Sequence, residues 1–225
     1  MSALKFPEGV EGEFSSRRIF MPPPQFPKRA QTYRDMLDFL GLHMQAHKLA
    51  LAHLHLQAGE SVLDAGCGTG YLALELKRRW PNVEVEGVDH DVDALQMAAE
   101  LAEQTGAHVL FQKGYMQDLP CSAERYDVVV CLLLLHRLRG AERGAAFQEL
   151  IRVLKPGGRL LFVDFGAPAR GMGGWLVKRL AEYERGISDH LELGLEELCR
   201  LGGLLEVAKA GQAAFGLRAV TALRP

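Results

Sequence analysis

The chain of 225 residues has few of the features that several protein classes require. Its four cysteines, Cys67, Cys121, Cys131 and Cys199, are scattered and form no CxxC pair, which favours buried or free thiols in a reducing compartment. The longest uninterrupted apolar run, residues 128–135, is too short to span a bilayer, and residues 1–20 lack the apolar stretch of a signal peptide. We therefore expect a soluble, cytoplasmic protein.

A marked basic excess is also missing, since the formal net charge is −2. This balance argues against a dominant nucleic-acid-binding role, although it does not exclude a local basic patch. The hydrophobic fraction of 48% is enough to bury one core, so the length fits a single domain with at most a small appendage.

Residues 1–30 differ in composition from the rest. The stretch MPPPQFPKR (21–29) contains four prolines, and the arm carries five basic residues against three acidic ones. Proline at this density excludes helix and favours an extended segment. We predict a proline-rich basic arm over residues 1–30 and a folded domain over residues 31–225. A disordered tail and an ordered arm that closes over a site both remain open.

Strands and helices alternate from residue 61 onwards. One or two helices are expected between residues 33 and 56, and a terminal helix at 195–203 precedes two short strands that favour a hairpin. The predicted strands before it lie at 61–66, 83–89, 108–112, 126–135 and 159–165, the last following a tight turn at KPGG (155–158). The pattern predicts an α/β, Rossmann-like doubly wound seven-stranded sheet, mostly parallel with an antiparallel C-terminal hairpin strand.

Three glycines follow the first predicted strand, in SVLDAGCGTGYLALEL (61–76). Gly66, Gly68 and Gly70 lie at the edge of the sheet where ligands bind, and the missing Cβ atoms allow a sharp turn and a close approach to backbone N–H groups. Asp64 adds a negative charge at the same edge. It would repel a pyrophosphate and attract a ligand with an ammonium group and a sulfonium centre.

A dinucleotide site is the competing interpretation of the same stretch. GTGYLA (68–73) satisfies G-x-G-x-x-A, and Asp89 follows about 20 residues later, as that fingerprint requires. The usual register, however, places the first glycine at the strand end, which is Gly66 here. Tyr71 then occupies the position of the third glycine, so the sequence favours the cationic ligand.

Four motifs together resemble a known family. They are VLDAGCGTGYLA (62–73), VEGVDHD (85–91), YDVVVCLLLLHRL (126–138) and ELIRVLKPGGRLLFVDF (149–165). In this order and spacing they resemble the class I S-adenosylmethionine-dependent methyltransferases over about residues 33–225. The last motif is especially similar to the ubiquinone/menaquinone biosynthesis C-methyltransferases. The resemblance implies methyl transfer from S-adenosyl-L-methionine to a small-molecule or lipid-like acceptor, which could be of the quinone type.

The resemblance also implies which residues hold the cofactor. The glycine turn would surround its methionine part with Asp64 near the ammonium group, Asp89 would accept hydrogen bonds from both ribose hydroxyls, and His90 would stack on adenine. The implied cofactor-binding residues are Asp64, Ala65, Gly66, Cys67, Gly68, Gly70, Asp89, His90, Tyr115, Met116, Gln117 and Leu132.

One position departs from the family. In QKGYMQDLP (112–120) the family usually has Asp or Asn followed by Ala, whereas this chain has Tyr115 and Met116. Tyr115 could donate through its hydroxyl and Met116 through its backbone N–H; alternatively Gln117 or Asp118 supplies the adenine contact. The substitution at Tyr115 also supports the alternative function, a catalytically idle cofactor-binding partner subunit.

Three residues are candidates for the chemistry. His136 follows the fourth strand, and an imidazole suits a general base if the acceptor must lose a proton. Asp164 and Tyr33 are further candidates, and a structural role stays open for all three. His43 and His47 share a predicted helical face, but without cysteines nearby or an HExxH pattern we expect no metal site.

The segment GMGGWLVKRLAEYERG (171–186) lies where the family commonly inserts a substrate cover. Trp175 and its apolar neighbours beside Lys178 and Arg179 could receive an apolar acceptor or rest on a membrane surface. An ordinary amphipathic helix packed on the domain is the alternative.

Overall fold

A single mixed sheet of seven strands organises the protein in the computed structural model, which describes residues 41–166 and 194–225. The strand order is β3-β2-β1-β4-β5-β7-β6, with β1 to β5 parallel and β7 antiparallel to both of its neighbours. The strands are β1 (Ser61–Ala65), β2 (Glu84–Asp89), β3 (Leu110–Lys113), β4 (Tyr126–Leu132), β5 (Leu154–Phe165), β6 (Leu205–Gln212) and β7 (Leu217–Leu223). The predicted fold class and C-terminal hairpin are confirmed.

Five α-helices lie in the described ranges, the first of them before β1. They are α1 (Leu42–His53), α2 (Tyr71–Arg79), α3 (Val92–Thr105), α4 (Gly140–Val153) and α5 (Leu195–Leu201). None of them is long and apolar enough to cross a membrane. The predictions for the arm 1–30, for Tyr33 and for the segment around Trp175 lie outside the described residues.

The core occupies both faces of the sheet, which explains why β4 is apolar at almost every position. Val128 and Val130 join one buried cluster, which includes residues of α1 and α2. Val129 and Cys131 join a second cluster, which includes residues of α4 and α5. A strand covered by helices on both faces loses the alternation of apolar and polar residues. The four cysteines are free thiols, and all but Cys67 are buried, as predicted.

The order of the strands reverses between β1 and β4, because the chain adds β2 and β3 on one side of β1 before it returns to the other. The carboxyl ends of β1, β2 and β4 meet there. In open α/β sheets this crevice is where ligands bind.

Two predicted boundaries are wrong, each for a local reason. Strand β4 ends at Leu132 rather than at 135, because Leu133 adopts a left-handed φ of 49° and Leu135–Arg137 form a 3-10 turn. The KPGG stretch is not a separate tight turn but a bulge inside β5, where Tyr126 pairs with Leu154 and Val128 already pairs with Arg159. This bulge is held by hydrogen bonds from the N–H of Gly157 to the Arg224 carbonyl and from the N–H of Arg224 to the Gly158 carbonyl.

Candidate functional site

A glycine turn joins β1 to α2 at the reversal point of the sheet. Gly66, Gly68 and Gly70 have φ values of 79°, 52° and 75°, all in the left-handed region. The N–H groups of Gly66 and Cys67 both donate to the carbonyl of Val88, at 2.8 and 3.1 Å, so the turn is fixed to the end of β2. Side chains other than glycine are strained at such φ values, which is why three glycines were a usable signal in the sequence.

The glycines of this turn differ in what surrounds them. A Cβ atom added to Gly70 would lie 2.7 Å from Phe111 Cζ and 2.8 Å from Ala98 Cβ, both inside the protein. A Cβ atom at Gly68 would meet nothing within 4 Å. Gly70 is therefore needed for packing, whereas Gly68 leaves open space in which a ligand can approach the backbone.

We expect Gly70→Ala to lower the free energy of unfolding by about 2–5 kcal/mol, because overpacking adds to the left-handed strain. Gly68→Ala is the matched control. Its free energy of unfolding should fall by only about 1–2 kcal/mol, because of the backbone strain alone, and the added methyl group should weaken ligand binding at the open space. Urea denaturation of the two variants measures the difference. Equal losses of stability would contradict this assignment.

The carboxyl group of Asp64 is buried beside the glycine turn. The residue is 2% exposed, and its Oδ2 atom has no hydrogen-bond partner among the described residues. Burial, with a smaller contribution from the charge of Asp89, raises the pKa of Asp64 to about 7, against the opposing effect of a hydrogen bond from the N–H of Ala73. A buried carboxylate that lacks a partner is unfavourable, and a cation bound next to it would relieve the penalty.

Asp89 ends β2 on the opposite side of the turn. Its Oδ2 accepts a hydrogen bond from the N–H of Gly68 at 2.8 Å, and its Oδ1 accepts one from the N–H of Asp91 at 3.0 Å. A carboxylate offers about four acceptor positions; the two N–H groups take two of them, and His90 Nδ1 lies 3.1 Å from Oδ1. Asp91 itself caps α3, because its side chain accepts hydrogen bonds from the N–H groups of Asp93 and Ala94.

Two exposed rings border the site next to Asp89. The His90 side chain is 58% exposed, Tyr115 is 58% exposed, and their ring centroids lie 6.3 Å apart. The Met116 side chain is buried in the core, so only its backbone can face a ligand. The N–H of Asp118 donates to the Tyr115 carbonyl at 3.0 Å, which closes a tight turn around Met116 and Gln117.

Some of these groups line one cleft, which has a volume of about 200 Å³. Its described lining consists of Gly66, Asp89, His90, Gly114, Tyr115, Met116, Gln117, Leu134, Arg137 and Leu138. Six of these residues were predicted from the sequence. The described lining does not include the other six predicted residues, which are Asp64, Ala65, Cys67, Gly68, Gly70 and Leu132. Of these, Ala65 packs in the second core cluster and Leu132 against the first.

Sequence reasoning missed four lining residues, Gly114, Leu134, Arg137 and Leu138. Gly114 directly follows β3, and the other three follow β4, so their position after strand ends was an available signal. A 3-10 turn follows β4, and the three residues in and around it all line the cleft. The apolar run at 128–135 gave no sign in the sequence of where the strand stops.

His136 and Asp164 form a buried pair below this edge of the sheet. His136 Nδ1 lies 2.6 Å from Asp164 Oδ1, and both side chains are 1% exposed. The carboxylate also accepts hydrogen bonds from the N–H of Phe165 at 2.7 Å and from the N–H of His136 at 3.3 Å. Because the carboxylate accepts from Nδ1, Nε2 is the basic nitrogen of the neutral ring. The flanking residues Leu134 and Arg137 line the cleft.

One histidine of α1, His47, packs against the neighbouring helix. The ring of His47 meets the ring of Tyr71 edge-on at 4.8 Å, which seats α1 against the start of α2. Burial lowers the pKa of His47 to about 4, so this ring is neutral at physiological pH. Among the described residues, no group of three or more His, Cys, Asp or Glu side chains could hold a metal ion.

The chain is similar to known methyltransferases. A family model described as a methyltransferase domain matches residues 62–158. The chain is 31% identical over 185 residues to a ubiquinone/menaquinone biosynthesis C-methyltransferase of Syntrophotalea carbinolica, and 81% of this chain and 71% of that relative are covered. It is 34% identical over 135 residues to a demethylmenaquinone methyltransferase of Deinococcus radiodurans, with 60% and 55% covered. The chain thus spans only about half the length of several curated relatives.

Solved structures share the fold. An S-adenosylmethionine-dependent methyltransferase from Methanosarcina mazei has a TM-score of 0.63 at 22% identity and covers 77% of this chain and 96% of its own. Phosphoethanolamine N-methyltransferase 2 of Haemonchus contortus, solved with S-adenosyl-L-methionine, has a TM-score of 0.65 at 16% identity, with 80% of this chain and 52% of that chain covered.

Proposed function

Because this chain belongs to the class I S-adenosylmethionine-dependent methyltransferases, we propose that its cleft binds S-adenosyl-L-methionine and directs the methyl group to a reduced quinone-type acceptor. The observation that carries the cofactor assignment is the Oδ2 atom of Asp64, which is buried beside a glycine turn and has no hydrogen-bond partner in residues 41–166 and 194–225. The acceptor class is inferred from the printed functions of the relatives in Syntrophotalea carbinolica and Deinococcus radiodurans.

The residues present fit this cofactor. Asp64 would face the ammonium group, the open space at Gly68 would admit the methionine part, and Asp89 would accept from the ribose hydroxyls with its remaining acceptor positions. His90 and Tyr115 would border the adenine ring. When bound, S-adenosylmethionine supplies an electrophilic methyl group on a sulfonium.

Positioning would be the main contribution of the protein to the reaction. Holding two reactants in an aligned geometry is worth on the order of 7–11 kcal/mol of the barrier, and no covalent enzyme nucleophile is needed. Leu134, Arg137 and Leu138 form the wall of the cleft that follows β4. We assign to this wall the task of seating the acceptor against the methyl group.

His136 would remove the proton that a reduced quinone must lose on methylation. Its Nδ1–H donates to Asp164, which orients the ring and stabilises the imidazolium that forms when Nε2 accepts a proton. Asp164 in this scheme is a positioning residue. Tyr33 lies outside the described residues and stays a candidate for the chemistry from the sequence alone.

Calorimetry and product analysis together test the proposal. Purified protein should bind S-adenosylmethionine and S-adenosylhomocysteine, and a reduced naphthoquinone with an unsubstituted ring carbon should elicit release of S-adenosylhomocysteine. Failure to bind either nucleoside would refute the cofactor site. Binding without turnover on reduced naphthoquinones or on cell extracts would favour the idle partner subunit instead.

The substitution His136→Asn separates the catalytic role of His136 from a structural one. The asparagine amide can still donate to Asp164 in place of Nδ1–H, but it has no counterpart of Nε2. We expect kcat to fall by about 100-fold, because removal of a general base typically costs this much or more, while the affinity for S-adenosylhomocysteine stays within about threefold. Steady-state kinetics measures the first and calorimetry the second. Full activity of the variant would assign His136 to structure alone.

A further inference from the structure

Two buried side-chain atoms have no hydrogen-bond partner in the described parts of the chain, Asp64 Oδ2 and Arg143 Nη1. The proposed cofactor site accounts for the first of them. Arg143 is 9% exposed, and none of the described carboxylates forms an ion pair with it. A buried guanidinium without an anion is strongly unfavourable, so binding of an anion there would stabilise the folded protein.

The position of Arg143 places this charge near the wall of the cleft. The residue lies in the first turn of α4 and shares the buried face of that helix with Ala146, Phe147 and Leu150. Side chains of a helix tilt towards its N-terminus. The helix α4 begins two residues after Leu138, which lines the cleft, whereas Arg143 itself is not among the described lining residues.

The surroundings of Arg143 add positive potential. Arg137 lines the cleft and is exposed at its edge. Arg139, the residue that precedes α4, makes no side-chain cap to the first amides of the helix, and these amides carry a partial positive charge. The one acidic residue of this turn, Glu142, is exposed on the outer face of the helix.

We propose that Arg143 binds an anionic group, a carboxylate or a phosphate, that is carried by the methyl acceptor. The inference rests on the proposed function and narrows its acceptor to an aromatic ring that bears an acid. A guanidinium presents a planar fork of N–H donors that matches both anions with two parallel hydrogen bonds.

Thermal unfolding with defined probes tests this assignment. The wild-type protein, Arg143→Met, Arg143→Lys and the control Arg78→Met, which removes an exposed charge on α2, are compared in saturating S-adenosylhomocysteine at constant ionic strength. The probes are 3,4-dihydroxybenzoate, the neutral catechol that lacks its carboxylate, and inorganic phosphate.

We expect Arg143→Met to melt at least about 3 °C above the wild type without any probe, because the substitution removes an uncompensated buried charge. Dihydroxybenzoate should raise the Tm of the wild type and of Arg78→Met, and its Kd should increase at least tenfold in Arg143→Met. Arg143→Lys should show an intermediate Kd, and catechol should not distinguish the variants.

Several results would overturn the assignment. A lower Tm of Arg143→Met would mean that the protein itself supplies the anion. Equal weakening by Arg78→Met would mean unspecific attraction, and a response to phosphate but not to dihydroxybenzoate would mean a site for the free ion. The same samples also show whether the wild type binds S-adenosylhomocysteine. If it does not, the result counts against the proposed function and not against the assignment of Arg143.

Discussion

Asp89→Ala should weaken the binding of S-adenosylmethionine by about 10²- to 10⁴-fold, measured by calorimetry. A hydrogen bond to a charged acceptor contributes about 1.5–3 kcal/mol, and the carboxylate would accept one from each ribose hydroxyl. The same side chain also holds the N–H groups of Gly68 and Asp91. Its loss therefore loosens the glycine turn as well as the ribose contact.

Asp91→Ala is the matched control for Asp89→Ala, two positions away on the same loop. Asp91 caps α3 through two backbone N–H groups, and removal of such a cap costs about 1 kcal/mol of stability. We expect the affinity of Asp91→Ala for the nucleoside to stay within about fivefold of the wild type. Affinities that fall equally in both variants would mean that loop order, rather than ribose recognition, controls binding.

Asp64→Asn should change stability and affinity in opposite directions. Burial, and to a smaller extent the charge of Asp89, raises the pKa of Asp64 from its ordinary value of 3.8 to about 7 in the folded protein. The protonated group therefore favours folding below about pH 4, and this contribution is lost as the pH rises through 7. Near pH 8 the ionised carboxyl destabilises the free protein on the order of 4 kcal/mol, a penalty that Asn lacks.

The affinity of Asp64→Asn for S-adenosylmethionine should fall about 100-fold or more, because the ammonium group loses its charged partner. For the wild type, the affinity should rise with pH up to about 7 and then level off, since only the ionised carboxyl attracts the cation. Urea denaturation of the free protein and calorimetry between pH 5 and 8.5 measure both effects. A wild-type affinity that is flat across this range would contradict the role of Asp64.

Asp127→Asn is a control, because its effect on stability at pH 8 should be opposite to that of Asp64→Asn. Although partial burial opposes ionisation, hydrogen bonds from Lys155 Nζ at 2.8 Å and from the N–H and hydroxyl of Ser61 lower the pKa of Asp127 to about 2. The ionised group therefore stabilises the fold above about pH 4, and this contribution is lost as the pH falls through 2. Asp127→Asn should lower stability at pH 8, where Asp64→Asn raises it, and should leave nucleoside affinity unchanged.

The sequence predicted the parts of the site that lie on one short piece of chain. Asp64 and Gly66 follow each other at the end of one strand, and Asp89 ends the next, so alternation of strands and helices was enough to bring them to one edge. The prediction was wrong on the end of β4, which was placed at residue 135 and lies at Leu132. A run of continuous apolar residues has no alternation from which the last residue of a strand or its facing side can be read, and here the strand stops just before Leu133, which has a left-handed φ.

By itself, the sequence determined the order of strands and helices, the parallel sheet with its antiparallel end and the glycine turn that follows Asp64. These features follow from local periodicity, glycine content and chain order. Only the tertiary structure decided that Asp64 and Arg143 are buried without a described hydrogen-bond partner for Oδ2 and Nη1, that His136 meets Asp164, and that Leu134 and Arg137 line the cleft. These properties depend on which distant segments remove water from a side chain, and burial of that kind leaves no pattern in the neighbouring residues.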